Sequence, residues 1–536
     1  MKNRKNMKNL SLLLGLALTF LTVSCDDALE EEVFDSVTPA NFFQTEADVE
    51  VGVLGVYDGL QNNSYWYRQF MTEALPGSVG HFWNETFNSL NYNNSTGNLW
   101  IMWEQSYNII ANANAVIPVI ETSSLEEDVK NGYLAEVRYL RALVYFNMVR
   151  WYGQMPLVTT VPETIDEATV PQEGADESVF ESQFLKQVDR EDIYTFIIEE
   201  LQWAEANLAE ATFSGGVDNG RARKGAATAL LAKVYLTQAG YQYNYSSGGL
   251  EQGDGSKWAM AAQKTQELID NSPYSLEPNF EDIFKNENDN NEEVIFSIQY
   301  LESAITGVTS EGGQTVARFG IRGSDITPFS WKQAFSNLSF YESWVDANGE
   351  DDKRLNTTYL RSYIDGDGNE VTYGGGNFIR PHLWKFVSDV DVSDISALNA
   401  TDYGDNPIYM RYADVLLMNS EALNEAGGTP AAETLYGINA VRVRAGQPEI
   451  TLPISKEDLR EAIWKERKWE LCYEGHYFFD SQRTGRLLDE IALNWDESGG
   501  TVRAFPLDVI DEKYYILPIH FNAISANPSL DQNAGW

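Results

Sequence analysis

Nine stretches of this chain place apolar residues at helical spacing, and several lie next to another such stretch across a short or moderate connection. They run over 46–60, 99–121, 126–152, 190–209, 221–240, 256–271, 407–426, 431–445 and 456–474. Between Arg221 and Gly240 the residues Ala227, Leu230, Leu231, Val234 and Tyr235 fall on one helical face, and Gly240 is placed to end the helix. Asp189 is a candidate N-cap for the helix starting near Arg190, with Asp192 at its third position. Ser455 and Asp458 repeat that device, and Thr429-Pro430 reads as another start with proline in the first turn. A helix with one apolar face must bury it against a neighbour, so consecutive helices with short links predict antiparallel hairpins. The pairs 190–209 with 221–240, and 407–426 with 431–445, suggest tetratricopeptide-like units of about 34 residues.

Two stretches break this pattern. Residues 61–98 are rich in Asn, Ser, Gly and aromatics. Residues 272–406 carry glycine-rich turns and short strand-like runs such as Val294 to Ile298. Long irregular segments in a compact protein are disproportionately functional. The chain has 14 Trp and 28 Tyr, a supply that suits a surface on which a ligand stacks.

The N-terminus points to export. Residues 1–9 are basic, and Leu10 to Val23 is an apolar run too short for a comfortable bilayer span but suited to a signal peptide. It ends in Leu21-Thr22-Val23-Ser24-Cys25, which looks like a bacterial lipobox, although the usual pattern puts Leu where Thr22 stands. Cys25 is the expected lipidation site and membrane anchor, followed by an acidic run from Asp26 to Glu32. The expected organisation is a lipoprotein signal peptide over 1–24, a lipidated N-terminus and acidic tether over 25–40, and a single domain over 41–536.

Charge narrows the partners. The formal net charge is -42, which repels phosphate backbones, so nucleic acid is not an expected partner. The same field disfavours anionic polysaccharides. The two cysteines, Cys25 and Cys472, form no disulfide framework, and the four histidines show no metal-ligand spacing, so neither a metal nor a cofactor is expected.

Several blocks resemble one family. Trp103-x-x-x-Tyr107-x-x-Ile110-x-x-Ala113-Asn114 opens the series, followed by Ala135-Glu136-Val137-Arg138-Tyr139-Leu140-Arg141-Ala142 and Arg150-Trp151-Tyr152-Gly153. Next come Gly225 to Leu236, Arg411-Tyr412-Ala413-Asp414, Ile438-Asn439 with Arg442 and Arg444, Glu466-Arg467 with Glu470 and Glu474, and a closing Asn527-Pro528. In this order, over nearly the whole chain, they are similar to the SusD/RagB nutrient-binding outer-membrane lipoproteins of Bacteroidota. The resemblance implies a mostly α fold: tetratricopeptide-like helix pairs forming a superhelical scaffold, packed against a loop-rich half with a few short strands. It also implies a TonB-dependent, SusC-like outer-membrane transporter as partner, and a cell-surface location. Arg138 and Arg141 lie in an otherwise apolar helix, and Glu136, Glu421, Glu466 and Glu470 are candidate partners for such arginines. These blocks read as scaffold rather than ligand contacts.

The expected ligand contacts lie instead in the two irregular segments. Sugars stack on aromatic rings and hydrogen-bond to amides, carboxylates and guanidinium groups. In the first segment the candidates are Tyr65, Trp66, Trp83 and Asn84; in the second they are Arg322 and Trp331. The alternative for each is a packing role that anchors its loop to the core. Asp365-Gly366-Asp367-Gly368-Asn369-Glu370 resembles the start of a calcium loop, but Glu370 stands where an EF-hand needs glycine, and a hairpin turn is the expected reading. The expected function is glycan capture without catalysis. A peptide-binding role in the same family is the alternative. A surface glycoside hydrolase would need a pair of carboxylates; Glu85 lies among aromatics and Asp325 near Trp331, but no motif pairs them.

Overall fold

Each helix of this chain exists because it has somewhere to bury a face. The computed structural model describes residues 45–62, 65–66, 80–82, 90–161, 185–213, 220–301, 313–314, 318–320, 334–365, 367–374, 378, 380–387, 404–493 and 510–536. Its principal helices are α1 (Glu46–Gln61), α2 (Gly97–Thr122), α3 (Glu127–Tyr152), α4 (Arg190–Asn207), α5 (Lys224–Ala239), α6 (Lys257–Asn271), α7 (Leu338–Asn348), α8 (Tyr412–Ala426), α9 (Ala432–Arg444), α10 (Lys456–Glu470) and α11 (Tyr477–Arg483). Packing follows chain order: α1 on α2, α2 on α3, α3 on α4, α4 on α5, α5 on α6, α6 on α8, and α8 on both α9 and α10.

The helix starts show which signals act. Thr45 and Asp48 form a reciprocal capping box at α1, and the Ser455 hydroxyl accepts the Asp458 N–H at 3.0 Å at α10. Such a cap contributes about 0.5–2 kcal/mol. Asp189 caps α4 as expected, through the Glu191 N–H at 2.9 Å rather than that of Asp192. The start expected at Thr429-Pro430 falls later: Ala431 is the N-cap, so Pro430 lies outside α9.

Helix α5 is buried from Gly225 to Ala239 on every side, so its neighbours cover it completely. Small residues set the closest crossings. A Cβ at Gly437 would lie 2.0 Å from the Leu416 carbonyl oxygen, so α9 approaches α8 at a distance only glycine permits. Arg138 and Arg141 both reach Glu200 on α4, at 2.7 and 2.6 Å, while the glutamates expected to pair with such arginines pair with others, Glu136 with Arg221 and Glu466 with Arg354. Arg141 also donates to Asn114 on α2 at 2.6 Å, so one buried group ties three helices.

Residues 407–411, expected to open a helix, are instead β10 (Ile408–Arg411), which pairs antiparallel with β4 (Val294–Ser297). All four residues of each strand are buried, so the run lacks the one-sided pattern that separates strand from helix, and pairing decides. The other strands are β1 (Gly80–Phe82), β2 (Tyr241–Tyr243), β3 (Leu250–Gln252), β5 (Ala334–Ser336), β6 (Tyr359–Leu360), β7 (Ser362–Ile364), β8 (Glu370–Thr372) and β9 (His382–Leu383). They pair as β1–β5, β2–β3, β6–β9 and β7–β8. The fold is mostly helical with a few short strands, as expected. Helix α7 is an addition, lying inside the segment read as irregular and capped by the Asn337 side chain.

Candidate functional site

The two aromatic-rich segments meet at β1 and β5. The register is antiparallel, with Gly80 opposite Ser336, His81 opposite Phe335 and Phe82 opposite Ala334. The Ser336 hydroxyl donates to the Pro381 carbonyl, and Arg380 donates back to the Ser336 carbonyl at 3.1 Å. Strand β9 then carries the contact to β6, with His382 opposite Leu360. The buried His382 ring uses Nε2 to donate to the Phe319 carbonyl at 2.7 Å, which places its proton on that nitrogen. Residues 80–82, 318–320, 334–336 and 380–383 are thereby one connected patch.

Trp83, Asn84, Arg322 and Trp331 lie outside the described residues, as does Cys25. Their described neighbours are informative: Trp83 follows Phe82 directly, Trp331 precedes Ala334 by three residues, and Phe82 and Ala334 are partners. Tyr65 and Trp66, expected to touch ligand, are packed into the core, at 0% and 4% exposure. Tyr65 sets its ring edge-on to Trp151 and accepts from Asn147 at 3.3 Å. Trp66 packs on Tyr409 with ring centroids 5.7 Å apart and borders a cavity of about 10 Å³, room for a water and too small for a sugar ring. The backbone N–H groups of Tyr65 and Trp66 both donate to the Asn62 carbonyl, at 2.7 and 3.0 Å.

An aromatic cluster that sequence reasoning missed borders the same half. Tyr363 and Tyr373 on the β7–β8 hairpin each lie within 6.4 Å of Phe378, and Tyr373 is 38% exposed. The cue was present in a strand-spaced tyrosine and in a tyrosine followed by Gly374. Asp365 closes this hairpin by accepting the backbone N–H groups of Asp367 and Asn369 at 3.0 and 2.8 Å, which agrees with the turn reading. Those hydrogen bonds lower its pKa.

A buried ion network holds this loop-rich half to the helices. Arg354 bonds Asp352 at 2.8 Å, Glu466 at 2.6 Å and Glu470 at 3.2 Å. Lys385 bonds Glu474 at 2.5 Å and the carbonyls of Glu470 and Cys472. Arg411 reaches Glu293, Glu470 and Glu474, and Arg444 joins Glu293 and Glu470. With Arg442 on Glu466, five cations face five carboxylates: Asp352, Glu293, Glu466, Glu470 and Glu474. Burial by itself would raise the pKa of Glu470; Arg444, Arg411 and Arg354 outweigh it and hold the carboxyl far below its ordinary range. Glu474 is lowered in the same way, against burial, by Arg411 and Lys385. Each carboxylate here is engaged by a cation, so the network positions the half that carries the ladder.

The comparisons with known proteins agree with this architecture. A family model described as "SusD family" matches residues 176–536, and one described as "Starch-binding associating with outer membrane" matches residues 19–236. The chain is 28% identical over 529 residues to SusD-like protein P25 of Formosa agariphila, spanning 90% of this chain and 92% of that protein. It is 24% identical over 449 residues to the starch-binding protein SusD of Bacteroides thetaiotaomicron, spanning 75% of this chain and 72% of that one. Among solved structures, a SusD homolog from Bacteroides thetaiotaomicron superposes with a TM-score of 0.77 at 23% identity, covering 93% of this chain and 99% of its own. A laminarin-binding SusD-like protein superposes with a TM-score of 0.70 at 24% identity, covering 92% and 100%.

Proposed function

Since this chain belongs to the SusD family, we propose that it is a glycan-binding protein of the outer membrane that captures oligosaccharide at the cell surface and delivers it to a TonB-dependent, SusC-like transporter. Cys25 would carry the lipid anchor, with the protein facing the cell exterior. Among the described residues no helix is long and apolar enough to cross a membrane. The observation that carries the binding claim is the β1–β5 ladder. It holds the chain next to Trp83 against the chain next to Trp331, so two segments of sugar-binding composition leave one rigid base. Trp83, Asn84, Arg322 and Trp331 are the proposed contacts. Tyr65 and Trp66 are packed in the core and are not among the proposed contacts.

The relatives support a glycan over other ligands. One relative carries the name of a starch-binding protein, one solved neighbour binds laminarin, and another was solved with a xylogluco-oligosaccharide. The acidic field of this chain favours a neutral member of that class. The test is calorimetry of the purified protein against laminarin and xyloglucan oligosaccharides and a set of short peptides, with sugar release assayed in parallel. Binding to a neutral glycan without cleavage is the expected outcome. Binding to peptides alone would move the function to peptide import, and release of shorter sugars would make the protein an enzyme.

A further inference from the structure

A groove on the helical half, built from none of the elements of the β1–β5 patch, has a volume of about 370 Å³. That falls in the range of small-molecule sites, about 300–1,000 Å³. It lies where the end of α5, the β2–β3 hairpin, the start of α6, α8 and α10 come together. Its partly exposed aromatic rings are Tyr241, at 39% exposure, and Trp258. Tyr241 rests on the backbone of Gly485, where a Cβ would come 3.0 Å from the ring, so its position is set by packing. Trp464 is a wall and not a platform, because Tyr477 stacks on it at 5.8 Å and the Arg486 guanidinium also lies over its ring at 5.2 Å.

The polar lining is arranged in closed pairs. Arg460 is bidentate to Glu425 at 2.6 and 2.7 Å, and Arg483 bonds Glu421 and Asp480. Arg467 is shared between Asp414 and Asp480, and Arg486 pairs with Glu461. An anionic ligand would have to break one of these pairs, and a cation would have to compete with an arginine already in place. A neutral ligand breaks none and can use the donor and acceptor capacity left over. The Tyr241 hydroxyl, the Trp258 indole N–H and the Gln252 amide make no hydrogen bond among the described residues, and all three border the groove. Two aromatic rings beside an amide that both donates and accepts is the arrangement a sugar ring requires.

We propose that this groove is a second carbohydrate site, taking an uncharged mono- or disaccharide-sized ligand with its apolar face on Trp258 and Tyr241 and its hydroxyls on Gln252 and the Arg460–Glu425 pair. It is separate from the loop site and does not depend on that site binding glycan. The test is saturation-transfer NMR and intrinsic fluorescence on the full chain in detergent. The probes are glucose, galactose, mannose, xylose, maltose, laminaribiose, glucuronate and a tripeptide. Wild-type protein and the Trp258→Ala, Gln252→Ala and Trp83→Ala variants are compared. The expected result is that a neutral sugar binds, that Trp258→Ala and Gln252→Ala each weaken it by roughly tenfold, and that binding at the groove persists in Trp83→Ala, where only the loop site is lost. Gln252 is exposed on a hairpin strand, so its variant reports the site even if Trp258→Ala disturbs α6. Three results overturn the proposal: no neutral sugar binds, binding is lost in Trp83→Ala and kept in the other two variants, or only glucuronate or the tripeptide occupies the groove. Loss of oligosaccharide binding at the loop site alone leaves this groove standing.

Discussion

Phe82 lies opposite Ala334 in the antiparallel β1–β5 ladder, although the two residues belong to separate irregular segments of the sequence. If the segments they introduce form one binding surface, their tryptophans act as a unit. Trp83→Ala and Trp331→Ala should each weaken glycan binding, and the double variant should lose less than the sum of the two single losses. Groups in one site couple by about 0.5–3 kcal/mol. Calorimetry on the four proteins closes the cycle, with circular dichroism confirming that the helical fold persists. Strict additivity would mean that the two residues do not share a ligand.

Arg354 offers a sharper test of what holds that surface in place. Its side chain is fully buried among Asp352, Glu466 and Glu470, so removing it leaves carboxylates facing one another without water. Breaking such a buried group costs about 3–5 kcal/mol. Arg354→Met should therefore destabilise by that amount and weaken glycan binding through loss of the joint. Arg486→Ala, which breaks a pair with the half-exposed Glu461, should change stability by no more than about 1 kcal/mol. Denaturant unfolding of both variants decides it, and a near-neutral Arg354→Met would remove the network from its supporting role.

These two cases show what a linear sequence carries. The helices were legible because each buries a periodic face, and α1, α2, α3 and α10 begin within two residues of the expected positions. Residues 407–411 were not, because Ile408 to Arg411 is buried all round, and only the partner strand distinguishes the two readings. Tyr65 and Trp66 were read as ligand contacts because a tryptophan among asparagines has the same local composition whether it anchors a loop or faces a sugar. Burial depends on Trp151 and Tyr409, which are remote in the chain. The same limit hid the network. Glu466 and Glu470 were recognisable as scaffold acids, but Arg354, Lys385 and Glu293 sit in the segment that carries no periodicity, and only the fold brings them together.

The anchor makes its own prediction. If Cys25 carries acyl chains, wild-type protein expressed in a Bacteroidota host should partition into the detergent phase on warming of a Triton extract. Cys25→Ser should move to the aqueous phase. Each buried CH₂ contributes about 0.8 kcal/mol, so losing the chains should change partitioning completely rather than by degrees. Equal partitioning of the two proteins would remove Cys25 as the anchor.

Lys233 and His476 predict the response to pH. The Lys233 ammonium lies 3.0 Å from His476 Nδ1, and an ammonium can only donate, so the imidazole accepts there and is neutral. Burial, and then the charge of Lys233, lower the His476 pKa to about 3, against the pull of Asp414, Glu474 and Asp480. In the unfolded chain a histidine titrates near ~6.5. The folded value is the lower one, so the unfolded state binds more protons between the two. The stability from this group is complete above about pH 6.5 and is lost as pH falls toward 3, at up to ~1.4 kcal/mol per pH unit. The surrounding carboxylates of Asp414, Glu474 and Asp480 are also lowered and act in the same direction, but over a window that opens only below about pH 5. His520, lowered by burial, adds a slope that both proteins in the comparison retain. His476→Gln keeps an acceptor for Lys233 and removes the titration. Between pH 7 and pH 5 the wild type should lose about 2 kcal/mol more stability than the variant, read from denaturant midpoints at each pH. Parallel pH profiles for the two proteins would mean that His476 is not held neutral by Lys233.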